Sequence, residues 1–233
     1  MLSITDEGSL RVLTLDRPDR RNALMPAGLD ALERAVVETD APVIYLRGAG
    51  DAFCAGADLD VVADLEGEDA GAFAERGQAV ARTIETNDSV VVAGIDGAAR
   101  GGGVELALAC DLRIATERAT FAETGVTLGL FGAWGGTVRL PRVVGEGEAM
   151  DIALSGRVVD AEAALRMGLV SRVVDDPKAV AESLTDNDHG ALATLKERMR
   201  DTAPPETQEQ REAEAFAQLV ERAPLDRNAG AGE

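Results

Sequence analysis

From Ser89 to Ile95 the chain reads Ser-Val-Val-Val-Ala-Gly-Ile, and it then passes through Gly97-Ala98-Ala99-Arg100 into Gly101-Gly102-Gly103. After the glycines it stays apolar from Val104 to Cys110, with Glu105 as the one charged residue. A β-branched run without polar alternation is the signature of a strand buried in a parallel sheet. A strand that empties into three glycines and then a helix presents backbone N–H groups to an anion at the helix N-terminus. These two features together demand an α/β architecture.

The rest of the chain agrees. Residues 9–16 carry the branched and Leu content of a strand ending at Arg17-Pro18. Leu29, Leu32, Ala35 and Val36 have helical spacing, and Val43 to Leu46 reads as a second strand after Pro42. A loop of small residues follows, Phe53-Cys54-Ala55-Gly56-Ala57-Asp58-Leu59, and residues 66–86 read as an acidic-faced helix. Asp111 to Ala115 and Thr120 to Glu123 are strands, helices occupy 136–154 and 160–167, and Leu169 to Val174 is a last strand. Strands and helices alternate, so the sheet is at least partly parallel. The composition turns polar and helical after Asp175-Asp176-Pro177, which divides the chain into a core over 1–175 and a helical C-terminal segment over 176–233, with a disordered tail from about 224.

Composition removes several function classes. The chain has 233 residues, 45% hydrophobic, which is too apolar for a disordered protein, and no apolar run approaches a membrane span. The opening Met-Leu-Ser-Ile-Thr-Asp-Glu lacks the basic-then-apolar order of a signal peptide, so a cytoplasmic protein is expected. Forty-two acidic side chains against 23 basic ones give a formal charge of -19, which repels nucleic acid and anionic membrane. Lys178 and Lys196 are the only lysines, a depletion that suits solubility in concentrated salt. Cys54 and Cys110 are isolated and His189 is the single histidine, in a stretch that reads as a turn, so neither zinc spacing nor a Ser-His-Asp triad exists. Cys54 reads as a small buried hydrophobe.

The glycine run does not serve a nucleotide. Its spacing misses the dinucleotide fingerprint, and a phosphate loop requires Lys and Ser or Thr where Gly103 and Val104 stand. What remains is an oxyanion hole, with an unobstructed N–H near Gly102 aimed at a carbonyl oxygen that gathers charge. Glu105 lies in the first turn beside it. Acidic residues commonly sit there to complement the helix dipole. However, flanking Val104, Leu106, Ala107 and Leu108 desolvate this carboxylate and raise its pKa toward that of a working acid or base.

Taken in order, five blocks resemble the crotonase superfamily, the enoyl-CoA hydratase/isomerase family. They are Asp16-Arg17-Pro18 with Asn22-Ala23-Leu24, Ala52 to Leu59, Gly101 to Asp111, Trp134 to Pro141, and Ala164 to Val170. The resemblance implies a spiral of ββα units with a helical C-terminal segment, assembled as trimers or dimers of trimers, and an acyl-CoA thioester as ligand. It implies no cofactor beyond the coenzyme A carried by the substrate. By position, the N–H groups of Ala57 and Gly102 would hold the thioester oxygen. Arg21, Asn22, Ala23, Leu24, Ala55, Gly56, Asp58, Leu59, Gly101 and Trp134 would line the coenzyme and substrate site, and Glu105 would be the first catalytic glutamate.

The chain departs from the family pattern in two places. Gly125 stands where the second catalytic glutamate is expected, and Glu123, two residues earlier, would act through a water or exit to solvent, the latter being the stronger reading. The family's basic last helix is cut short after Arg222-Ala223-Pro224. The resemblance therefore implies a 2-enoyl-CoA hydratase, with a double-bond isomerase or other single-base enolate chemistry as the alternative and a degenerate thioester-binding oligomer as a third reading.

Overall fold

The structure, a computed structural model, describes residues 1–223. The tail predicted from about 224 lies outside the described residues. β1 (Leu2–Glu7) and β2 (Leu10–Leu15) form an antiparallel hairpin through Gly8, whose φ of 64° favours glycine. α1 (Pro26–Val37) starts on a proline and turns Leu29, Leu32, Ala35 and Val36 inward. β3 (Val43–Gly48) and β4 (Ala52–Cys54) lead to a short α2 (Leu59–Ala63) and the long α3 (Gly67–Thr86). β5 (Val90–Ile95) and β6 (Ala98–Arg100) precede α4 (Gly102–Ala109), and β7 (Leu112–Ala115) and β8 (Thr120–Ala122) precede α5 (Gly136–Val144). Then come α6 (Glu146–Ser155), β9 (Val159–Asp160), α7 (Ala161–Arg166) and β10 (Arg172–Val173). Three helices finish the described chain: α8 (Pro177–Leu184), α9 (His189–Met199) and α10 (Pro205–Arg222).

The strands make two sheets. The larger runs β1-β2-β3-β5-β7-β10 and is parallel apart from the first hairpin; the smaller runs β4-β6-β8-β9. Three times in succession a strand of the larger sheet is followed by a strand of the smaller one and then by a helix, at β3-β4, β5-β6 and β7-β8. Each turn of this spiral ends at the same edge of the smaller sheet. The parallel order β4-β6-β8 therefore sets three strand exits side by side: the loop from Ala55 to Asp58, the glycines at 101–103, and Glu123.

Alternation along the large sheet sorts the core. Ile44, Leu46, Val91, Ala93 and Ile95 face the main cluster with α1, α3 and α4, while Val43, Tyr45, Val90 and Val92 face a second cluster closed by Val180 and Ala181 of α8. The segment after 175 thus supplies a wall of the core rather than hanging from it. Lys196 of α9 is buried too, its Nζ 2.9 Å from Asp111 Oδ2 and donating to the carbonyls of Ile84 and Ser89.

Local expectations fail in four places. β1 has no sequence signal, because five of its six residues are exposed and only the pairing with β2 orders them. The predicted helix over 136–154 is two helices, broken at Gly145 with φ 81°. The predicted strand over 169–174 shrinks to two paired residues. His189 does not lie in a turn: it opens α9, where Asp188 accepts a hydrogen bond from the Ala191 N–H at 2.8 Å and caps the helix. Cys54 is fully buried in β4, and burial pushes its thiol up to about 12, as expected of a packing residue.

Candidate active site

The first two strand exits meet through glycine. A Cβ on Gly56 would lie 2.8 Å from the Gly102 nitrogen and 2.8 Å from the Arg100 carbonyl, so only a bare backbone lets the two loops approach this closely. Gly101 holds φ 46° with ψ -119°, a conformation reserved for glycine, and this turns the start of α4 toward the loop. Among the described residues, neither the Ala57 nor the Gly102 N–H donates to a protein acceptor. Two unused donors therefore stand on adjacent loops, one of them at a helix N-terminus. Both residues border a cavity of 320 Å³ whose walls include Leu59, Val62, Phe73 and Trp134.

Glu105 borders the same cavity. It is 1% exposed, and its Oε1 accepts hydrogen bonds from the N–H groups of Trp134 at 2.9 Å and Gly136 at 2.6 Å. Burial pushes its pKa up to about 7, with those backbone donors opposing the rise. Trp134 is placed by packing: its ring meets Phe73 edge-on at 5.8 Å and covers Gly102, where any side chain would collide with it.

Glu123 does not exit to solvent. It is 6% exposed, and among the described residues neither carboxylate oxygen has a hydrogen-bond partner. The place a Cβ on Gly132 would occupy lies 2.8 Å from Glu123 Oε2 and 2.9 Å from Glu105 Oε2. The two carboxylates thus both approach residue 132 more closely than any side chain there would allow, which only a glycine permits. Burial, then the charge of Glu105, pushes the Glu123 pKa up to about 8. Gly125 is no substitute position, since a Cβ there would lie 2.9 Å from the Phe131 Cα.

Residues 5–227 match the enoyl-CoA hydratase/isomerase family. The chain is 40% identical to the crotonyl-CoA hydratase of Syntrophomonas wolfei over 181 residues, covering 76% of this chain and 70% of that protein. It is 35% identical to the short-chain-enoyl-CoA hydratase of Clostridium acetobutylicum over 202 residues, 82% and 77% of the two. Among solved structures it resembles the enoyl-CoA hydratase of Bacillus anthracis, with TM-score 0.90 and 32% identity over 94% of this chain and 91% of that one. The enoyl-CoA hydratase of Thermoplasma volcanium gives 0.91 and 30% over 100% and 97%. The chain belongs to the enoyl-CoA hydratase/isomerase family.

Within this family member the residues predicted to line the site divide into two groups. Ala55, Ala57, Leu59, Gly101, Gly102, Glu105 and Trp134 converge on one cavity. Asn22, Ala23, Leu24 and Asp58 are buried and face inward. The Asn22 amide donates to the carbonyls of Ala49, Ala52 and Phe53, and its Oδ1 accepts from the Arg17 N–H, so the side chain has no donor left for a ligand. Asp58 caps α2 and pairs with Arg17 at 2.9 Å and Arg20 at 3.2 Å. The Leu24 N–H donates to the Gly56 carbonyl and the Asp58 N–H to the Leu24 carbonyl, tying the two loops together. Arg21 remains outside with φ 49° and, together with Arg100, borders a second cavity of 420 Å³ that reaches the first at Ala55. Burial and the nearby Arg21 lower the Arg100 pKa. Arg100, Gly132 and Gly136 carry no sequence signal of their role: their meaning is one of contact.

Proposed function

We propose that this protein hydrates 2-enoyl-CoA thioesters with Glu105 and Glu123 as its acid–base pair. The reading rests on one observation, two desolvated carboxylates that both approach Gly132, one of them, Glu105, in the cavity bordered by two free backbone donors. The N–H groups of Ala57 and Gly102 hold the thioester oxygen, each worth about 10²- to 10³-fold in rate. Between the two pKa values one carboxyl is ionised and the other neutral. Glu105, whose anion has two backbone donors, is the base, and Glu123, without any, keeps the proton.

As the water oxygen bonds to Cβ, its proton passes to Glu105 and the double-bond electrons move onto the thioester oxygen. The enolate then takes the Glu123 proton at Cα, and the C=O reforms. Glu105 ends protonated and Glu123 ionised, and a proton returning across the gap resets the pair. Arg21 and the surfaces of Ala55, Leu59 and Gly101 take the coenzyme, and no separate cofactor enters.

A homotrimer is the assembly this reading favours. α10 has no buried residue, and Phe216 is 68% exposed, with Val220, Leu195 and Met199 also exposed, apolar side chains left uncovered among the described residues. Among the described residues no helix is long and apolar enough to cross a membrane.

The test is turnover of crotonyl-CoA in concentrated salt and heavy-oxygen water. Label in a 3-hydroxyacyl product is expected, and an unlabelled, shifted double bond would mean isomerisation instead. Glu105→Gln lowers kcat by about 10²- to 10⁴-fold. A rate unchanged by that substitution removes the acid–base reading and leaves a thioester-binding protein.

A further inference from the structure

We infer that a third cavity, apolar and adjoining Gly132, receives the acyl chain beyond Cβ, so that the substrates are enoyl thioesters longer than crotonyl. This inference rests on the hydratase reading above. The cavity, also of 320 Å³, lies between the turn after β8 and helices α5 and α6, and its walls include Val126, Leu130, Leu140, Ala149, Met150 and Leu154. It shares Leu130, Phe131 and Gly132 with the cavity that holds Glu105. Gly132 therefore stands on the boundary of the two, and a methyl group there would meet both carboxylates.

Glu123 lines this apolar cavity and reaches Gly132, 94% buried and, among the described residues, without a hydrogen-bond partner; Thr137 and Glu146 supply the remaining polar lining. An orphan carboxylate at the junction fixes the direction of the substrate. The carbonyl lies at Ala57 and Gly102, the double bond lies between Glu105 and Glu123, and whatever follows Cβ continues past Glu123 into the apolar space. A crotonyl group places a single methyl there and leaves most of the cavity unfilled. On the α6 side Leu154 is 70% exposed, so a chain can thread outward past an apolar rim.

Each methylene seated in an apolar site contributes about a fourfold gain in kcat/KM, so hexenoyl-CoA should exceed crotonyl-CoA by about 15-fold. Octenoyl-CoA should gain further. Ala153→Trp, which fills the cavity from α6, should abolish that preference while leaving crotonyl-CoA turnover within a few-fold, and crotonyl-CoA turnover itself reports that the variant folds. Met150→Trp is the second variant. A chain-length profile that is flat in the unsubstituted protein overturns the inference, as does an equal loss on both substrates in both variants. A changed solution mass with an unchanged profile assigns the cavity to a second copy and overturns it too. Absence of crotonyl-CoA hydration in the unsubstituted protein fails the hydratase reading, whereas hydration with a flat profile fails this inference alone.

Discussion

Glu105 and Glu123 are ordinary glutamates whose chemistry comes from what surrounds them. Both lose solvent, and burial raises their pKa values to about 7 and about 8, from 4.5 for a free side chain. Because the folded-state values lie above the unfolded ones, the folded protein binds more protons than the unfolded chain across this range. Their contribution to stability is fully present below about pH 4.5 and is lost as pH rises through 7 and 8. Glu123→Gln should therefore raise the melting temperature at pH 8 to 9 and change it little near pH 4.5; an equal shift at both pH values would contradict the burial argument. The same pair should give a bell-shaped kcat/KM centred between the two pKa values, falling on the acid side as Glu105 gains its proton and on the alkaline side as Glu123 loses its own. In the amino-acid order Glu105 announces itself as a lone charge in an apolar helix. Glu123 does not, since nothing in Phe-Ala-Glu-Thr-Gly says which way its side chain points, and the expectation of solvent exposure fails for that reason.

At the level of elements, the site is the common edge of β4, β6 and β8, and its precision comes from backbones that approach without side chains between them. Gly56 and Gly102 touch, and a Val at 56 would separate the loops that carry the two free N–H groups. Gly56→Val, strained at φ 85° and against two backbone atoms, should lower kcat and the melting temperature together, as followed by turnover and thermal denaturation in parallel. Gly125 gives the opposite lesson. Family pattern alone places an acid there, yet a Cβ at this position runs into the Phe131 backbone. Gly125→Glu should thus destabilise the protein and fail to restore a Glu123→Gln variant; rescue by that substitution would show that the turn after β8 rearranges. The strands most legible were β3 and β5, whose apolar runs are continuous. β1 was invisible because its order comes from its neighbour, and the split between α5 and α6 was invisible because one glycine in a helical pattern is ambiguous until its φ is known.

Across the whole molecule, charge and the C-terminal helices decide how the spiral is held. The buried Lys196 is neutralised by Asp111, which also pairs with Arg200 at 2.8 Å and accepts from the Val91 N–H, so α9 is fastened to the central strands by ions. Asp111→Ala leaves Lys196 buried with only backbone carbonyls and should cost about 3–5 kcal/mol, read as a fall in denaturation midpoint without a change in substrate KM. A net charge of -19 adds self-repulsion that salt screens, so the melting temperature should climb with ionic strength. What the sequence by itself determined is what local order and composition carry: the alternating α/β pattern, the glycine run that opens α4, the desolvated Glu105 and the net charge of -19. Only the tertiary structure decided that Glu123 opposes Glu105, that Asn22 and Asp58 hold the loops instead of facing the cavity, and that an apolar chamber opens behind Gly132. Those are relations between residues far apart in the chain, and a one-dimensional pattern records no distance across a fold.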